Sequence, residues 1–338
     1  MNGGYFLLGV VLLGSVTVDL LWTTLWISEG AGPLTSLLMA RTWQVLRTVG
    51  PRNDRLLSLS GPLILTLGLS VWIVLLWGGW TLVFASGEHA LIDTLHRGPI
   101  TWADRVYFAG YAIFTLGIGD FAPRGDLWQL LTILASASGL LFITLSITYM
   151  LSLLDAVTQK RSFAGTVSGL GTTSEEIVRT SWDGDGFRGL DLPLNAITTQ
   201  LNTLTTNHKA YPILHYFYSQ QPNEASVLGI VILDEVLTLL QCGVPEEAQP
   251  DAILVRSART SVQNYLRTLQ HTFVEPADRT PPAPDIGRLR EGNVPTVSDD
   301  EFASSLDELS DRRRILLGLV DSDERGWPSR DESDAATA

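Results

Sequence analysis

One cysteine, Cys242, stands in 338 residues, so the chain can form no internal disulfide and no cysteine-clustered metal site. A buried, inert thiol is its expected role. Lysine is nearly missing too: only Lys160 and Lys209 among 23 basic side chains. Acids outnumber bases, 36 to 23, for a formal net charge of −13. That balance excludes the basic footprint that nucleic-acid binding requires, and it disfavours docking on anionic lipid headgroups. A lysine-poor acidic surface suits high salt, and a GC-rich genome produces the same bias. No nucleophile elbow, phosphate loop or HExxH pair is present, so an enzyme is not expected. His208 and His215, with Asp234 and Glu235, lack metal-ligand spacing and read as bundle packing. No apolar run carries regularly spaced arginines, which excludes a voltage-sensing helix.

The charge is unevenly placed: residues 1–159 carry a net −2 and residues 160–338 a net −11. The nearly neutral half holds three apolar runs of membrane-spanning length, 5–27, 63–85 and 127–154. The first has no basic leader and no Ala-x-Ala-type site, so a retained N-terminal transmembrane helix (1–32) is expected rather than a signal peptide. Arg41, Arg47, Arg52 and Arg55, against Glu29 and Asp54, make the first loop basic, and Lys160 and Arg161 follow the third run. Both places should face the cytoplasm, with the N-terminus outside, in a multi-pass protein of the plasma membrane. Within 33–59, "PLTSLLMARTWQVLRTV" (33–49) collects Leu34, Leu37, Leu38, Val45 and Leu46 mostly on one side, as an interfacial or linker helix would. Asp19 lies inside the first run. An intramembrane acid there is either a functional group or a partly hydrated one with an arginine partner.

The loop between the second and third runs is too long for a connector and not hydrophilic. "TWADRVYFAGYAIF" (101–114) begins with Thr101 as a cap and Asp104 in capping-box position. It is too short to cross a bilayer and too apolar to lie in water, which fits a re-entrant helix. "TLGIGD" (115–120) follows directly. Glycines at alternate positions permit backbone angles barred to other residues. A strand of alternating handedness can turn successive carbonyls to one side, and four such strands make rings of oxygen that replace a cation's water shell.

Residues 60–158 resemble the pore module of the potassium-channel superfamily in its two-helix prokaryotic form, here behind an extra N-terminal helix. The resemblance implies an all-α membrane protein with a potassium-channel-type pore: outer helix 63–85, pore helix 101–114, filter 115–120 and inner helix 127–154. It implies a selectivity filter of Thr115, Leu116, Gly117, Ile118, Gly119 and Asp120, with K+ held at the Thr115, Leu116, Gly117 and Ile118 carbonyls. Asp120 would attract cations at the outer mouth. Tyr107, Phe108, Tyr111 and Phe114 would support the filter, Gly139 would be a gating hinge, and Ile143, Ile147 and Leu151 would line the cavity. One chain supplies one filter strand, so a homotetramer in a lipid bilayer is implied, with no cofactor beyond permeant K+. Ile118 stands where the family usually has an aromatic, and Phe114 where it has a small hydroxyl residue. Both bear on the scaffold behind the carbonyls, so a nonselective cation channel of the same build is an alternative. A non-conducting membrane-anchored signalling or scaffold protein is another.

Beyond the pore, "SFAGTVSGLGT" lacks a dinucleotide fingerprint, and 159–172 reads as a linker. Helical patterns at 173–182, 193–210, 224–243 and 246–273 compose a helical cytoplasmic domain, 173–275, that gates or assembles the pore and could bind an unknown cytoplasmic ligand or partner. Residues 276–338, rich in Pro, Asp, Ser and Arg, read as a mostly disordered acidic tail with one short helix at 299–320.

Overall fold

The computed structural model describes residues 1–26, 30–49, 54–95, 98–270 and 274–328. Glu29 and Arg52, used in the orientation argument, lie outside the described residues, as do 271–273 of the fourth cytoplasmic helical pattern and 329–338 of the tail. The described residues are predominantly helical, and the chain divides into two compact units. One comprises Met1–Gln44, Gly61–Leu154 and Ala210–Ile213; the other comprises Val45–Ser60, Asp155–Lys209 and the chain from Leu214 onward.

The first unit is built from α1 (Gly3–Leu25), most of α2 (Pro33–Val49), α4 (Ser60–Ala85), α5 (Trp102–Ile113) and the first part of α6 (Asp126–Ser168). A four-residue α3 (Asp54–Leu57) precedes α4 and belongs to the second unit. The core of the first unit is aromatic: Trp72, Trp80, Phe84, Phe108, Tyr111 and Phe142 pack with Val16 and Leu20 of α1. Outside that core the helices stay apolar, with Leu7, Val11 and Val18 of α1 and Leu130, Ile133, Leu140 and Leu151 of α6 exposed. So large an exposed apolar surface is untenable in water and suits lipid or further subunits. At 43 residues, α6 is about 65 Å long, roughly twice the hydrocarbon thickness, so only part of it can be intramembrane.

Asp19 is fully buried, and its partners explain it. Its carboxylate accepts from Leu34 N (2.8 Å), Thr35 N (3.2 Å), Thr35 Oγ1 (2.5 Å) and the Trp72 indole (2.8 Å). Four donors match the capacity of an ionised carboxylate. The anion therefore caps the N-terminus of α2, where the helix dipole favours negative charge. The expected arginine partner or hydration is replaced by this local cap.

The second unit is a helical bundle of the end of α6 with α7 (Ser174–Ser181), α8 (Asp191–Ala210), α9 (Ser226–Thr238), α10 (Ala252–Gln270), α11 (Ile286–Glu291), α12 (Asp299–Glu308) and α13 (Ser310–Ser322). A π-helical turn, Leu239–Gly243, continues α9. By length and hydropathy Ser226–Gly243 would pass for a membrane span, yet 83% of its apolar window is buried inside the protein. It is the central helix of the bundle, apolar on all sides because it is surrounded.

Two expectations from sequence fail here. The stretch 159–172 is not a linker as a whole: α6 runs unbroken to Ser168. Phe163, Ala164 and Val167 are buried on one face, and their burial outweighs the propensity cost of Gly165. The tail is not mostly disordered between Ile286 and Ser322 either, since it forms three helices that bury Leu289, Phe302, Leu316, Leu317, Leu319 and Val320. The single helix expected at 299–320 is two, parted at Leu309.

Two consecutive acids on α9 hold this terminal segment. Asp234, fully buried, accepts from Arg259 Nη1 (2.8 Å) and from Arg312 Nη2 (2.5 Å). Glu235 accepts from Arg313 Nε (3.0 Å). Burial works against both charges. At Asp234 the two arginines overcome it and hold the carboxyl below its ordinary range. At Glu235 burial outweighs the single arginine and pushes the carboxyl up to about 7.

Candidate functional site

Helix α5 is set by a complete capping box: Thr101 Oγ1 accepts from Asp104 N (3.3 Å), and Asp104 accepts from Thr101 N (2.8 Å). Arg105 fixes the helix to the end of α4 by donating to the carbonyls of Phe84 (2.8 Å) and Gly87 (2.9 Å). Trp77 on α4 donates its indole N–H to Val106 O at 2.8 Å. Of the aromatics expected as filter support, Tyr107, Phe108 and Tyr111 form one connected group, and Phe114 pairs with Trp77 of α4. Phe108 stands edge-on to Phe84 (4.8 Å) and Tyr111 (5.1 Å), Tyr107 to Tyr111 (5.3 Å), and Phe114 to Trp77 (6.4 Å). Phe108 and Tyr111 are buried, whereas Tyr107 and Phe114 are partly exposed.

The C-terminal end of α5 passes into 115–120 through a specific turn. Leu116 N donates to Tyr111 O (2.9 Å) and Thr115 N to Ala112 O (3.2 Å), the two bonds of a Schellman ending. That ending wants a left-handed residue at its hinge position, usually glycine. Here it is Thr115, at φ 55°. Gly117 follows at φ 59° and Gly119 at φ 86°, so every second residue of the stretch is left-handed. A β-branched residue in that region is strained by about 1–3 kcal/mol and persists only where the surroundings over-determine it.

Helix α6 supplies part of that surrounding. Ser136 Oγ donates to the Ala112 carbonyl at 2.8 Å, in the last turn of α5. Gly139 lies so close that a Cβ there would meet Ile113 O at 2.1 Å. The position expected as a hinge is therefore also a point of close helix approach, and α6 is helical straight through it. Ile147 and Leu151, expected to line a cavity, are exposed on α6, and Ile143 is half-buried.

Beyond the glycines the chain enters a short ladder, β1 (Leu91–Asp93) antiparallel to β2 (Phe121–Pro123), with Ile92 opposite Ala122. Tyr111 donates its hydroxyl to the Phe121 carbonyl. Thr94 continues the ladder, donating its amide to Asp120 O at 3.0 Å. Sequence reasoning missed Thr94, Arg105, Ser136 and the strands. The capping box and glycine spacing are local signals, while these contacts depend on how distant segments meet. Among the described residues no group of three His, Cys, Asp or Glu side chains is arranged to hold a metal.

Comparison with known proteins fits this geometry. A family model described as "Ion channel" matches residues 70–156, from within α4 through α5 and the glycine strand into α6. "Uncharacterized membrane protein YdjJ" of Bacillus subtilis (strain 168) is 43% identical over 333 residues, covering 98% of each chain. No solved structure matches the chain. The chain is a membrane protein of the same family as that Bacillus subtilis protein, and its residues 70–156 match the ion channel model.

Proposed function

We propose that the chain is one subunit of a homotetrameric potassium channel that conducts through Thr115–Asp120. The observation that carries this reading is the alternation of left-handed backbone at Thr115, Gly117 and Gly119. A plain helix-ending turn needs one left-handed residue and would place glycine there. Three at alternate positions, the first a strained threonine, give a strand whose carbonyls can face one side. Four copies around an axis would stack the carbonyls of Thr115, Leu116, Gly117 and Ile118 into rings for a dehydrated cation. The Thr115 hydroxyl would add to the innermost ring, and Asp120 would draw cations to the mouth.

The exposed apolar side chains of α6, with Leu116 and Ile118 at 63% and 50% exposure, are surfaces that further subunits and lipid would cover. An apolar constriction at Ile143, Ile147 and Leu151 would gate by dewetting. The N-terminus would lie outside and the second unit in the cytoplasm.

The test is K+ flux in proteoliposomes made from the full chain. A K+ gradient should set the reversal potential, and Gly117→Ala should abolish flux, because alanine resists φ 59°. Flux that ignores the K+ gradient would identify a nonselective channel. Absence of any current would leave the scaffold reading.

A further inference from the structure

We propose that Thr94 is the residue that sets the outer limit of the filter, and so a positioning residue for selectivity; this rests on the channel reading above. Thr94 lies after β1, in a loop sequentially remote from the glycines. Its hydroxyl stands 2.8 Å from the carbonyl oxygens of both Gly119 and Asp120. A threonine hydroxyl has one proton to donate. The Asp120 carbonyl already receives the Thr94 amide at 3.0 Å, so the hydroxyl proton is best used at Gly119.

The consequence is specific. A Gly119 carbonyl hydrogen-bonded to the loop directs its lone pair toward the flank of the strand. It is then withdrawn from the row formed by Thr115 to Ile118. The filter ends at the Ile118 ring, and Gly119 serves as a tether. The tether also meets a need created by the sequence itself. Ile118 has no polar atom with which to brace the rim from inside the subunit. Bracing comes instead from the outer loop, which is stiffened by the β1–β2 pairing, by the Arg124 amide on Ala90 O (2.9 Å) and by Leu95 N on Asp93 Oδ1 (2.9 Å). Thr94 is exposed, so replacing it leaves the core untouched.

The experiment measures Na+/K+ permeability ratios of the full chain in planar bilayers for wild type, Thr94→Val, Thr94→Ala and Thr94→Ser. Valine keeps the shape and removes the hydroxyl; serine keeps the hydroxyl. Loss of one such hydrogen bond should raise the ratio by about threefold to tenfold in the valine and alanine variants, and serine should restore the wild-type value. A selective wild type with unchanged valine and alanine variants overturns the role of Thr94 and leaves the channel reading standing. A serine variant that shifts as far as valine overturns it also, because the hydroxyl would then not be the agent. A wild type without K+ current removes both.

Discussion

Gly139 and Gly165 lie on the same helix and should respond to alanine with opposite sign. At Gly139 a Cβ would sit 2.1 Å from Ile113 O, 2.7 Å from its Cγ2 and 2.8 Å from its carbonyl carbon. Two of those atoms are backbone at the end of α5 and cannot rotate away, so α5 and α6 must separate. Overpacking of this kind costs about 1–3 kcal/mol. At Gly165 nothing lies within 4 Å of the added carbon, and the site is exposed. There alanine gains helix propensity, about 0.5–1 kcal/mol. The variants should therefore differ by about 1.5–4 kcal/mol, or roughly 3–16 °C in melting temperature at about 2–4 °C per kcal/mol. Thermal melting of purified protein in detergent, followed by tryptophan fluorescence, reads this directly. Gly139→Ala should melt below wild type and Gly165→Ala at or above it. If Gly139 acts only as a hinge, alanine, a better helix former, would leave the melt unchanged or raise it. A Gly139→Ala protein that melts at or above wild type would refute the close-approach argument.

Three further outcomes follow from the same structure. Thr115→Gly removes the strain of a β-branched residue at φ 55°, worth roughly 1–2 kcal/mol, so its melting temperature should rise while K+ flux falls with loss of the hydroxyl; a lowered melting temperature would contradict the strain. Asp234→Ala strips the shared carboxylate from Arg259 and Arg312, and urea unfolding should show a loss of about 3–5 kcal/mol; an unchanged midpoint would mean the pairs contribute nothing net. His208 and His215 are held neutral by burial, with the Lys160 charge adding to the effect, His208 well below its ordinary value and His215 down to about 3. Their unfolded forms bind protons first, so stability is full above pH about 6.5 and declines as pH falls toward the folded values. His208→Leu should flatten the pH dependence of the urea midpoint between pH 6.5 and 4.5, and an unaltered slope would assign the acid sensitivity elsewhere.

The pore elements were legible because their signals are local and periodic. Thr101 and Asp104 announce the start of α5, the apolar runs announce α1, α4 and α6, and the two glycines mark the turn of handedness. What could not be read was how these pieces brace one another. Thr94 meets Gly119 across 25 positions, and Arg105 meets Phe84 across 21. Neither residue type is unusual for a loop or a helix face. Asp19 was visible as an anomaly, but its meaning depends on α2 folding back so that Leu34 and Thr35 present their amides to it. A charge in an apolar run has different consequences according to whether a helix terminus lies beside it, and one-dimensional spacing does not carry that information.

The second unit makes the same point from the side of composition. Helix α9 with its π-helical turn is long and apolar enough to pass for a span, and the segment after residue 276 matches a disordered tail in charge and proline content. Each reading is altered by the other. Asp234 and Glu235 would be prohibitive in the middle of a lipid-facing helix, where an unpaired charge has no partner. Arg312 and Arg313 are adjacent on α13, and together with Arg259 they supply partners for both acids. Buried ion pairs are poor sources of net stability, but removing one partner is costly, so they specify position more than they add strength. The apolar side chains of α13 supply the burial, and the two arginines fix which turn of α9 it lies against. The polar composition that made the tail look unfolded is thus the composition that registers it on the central helix.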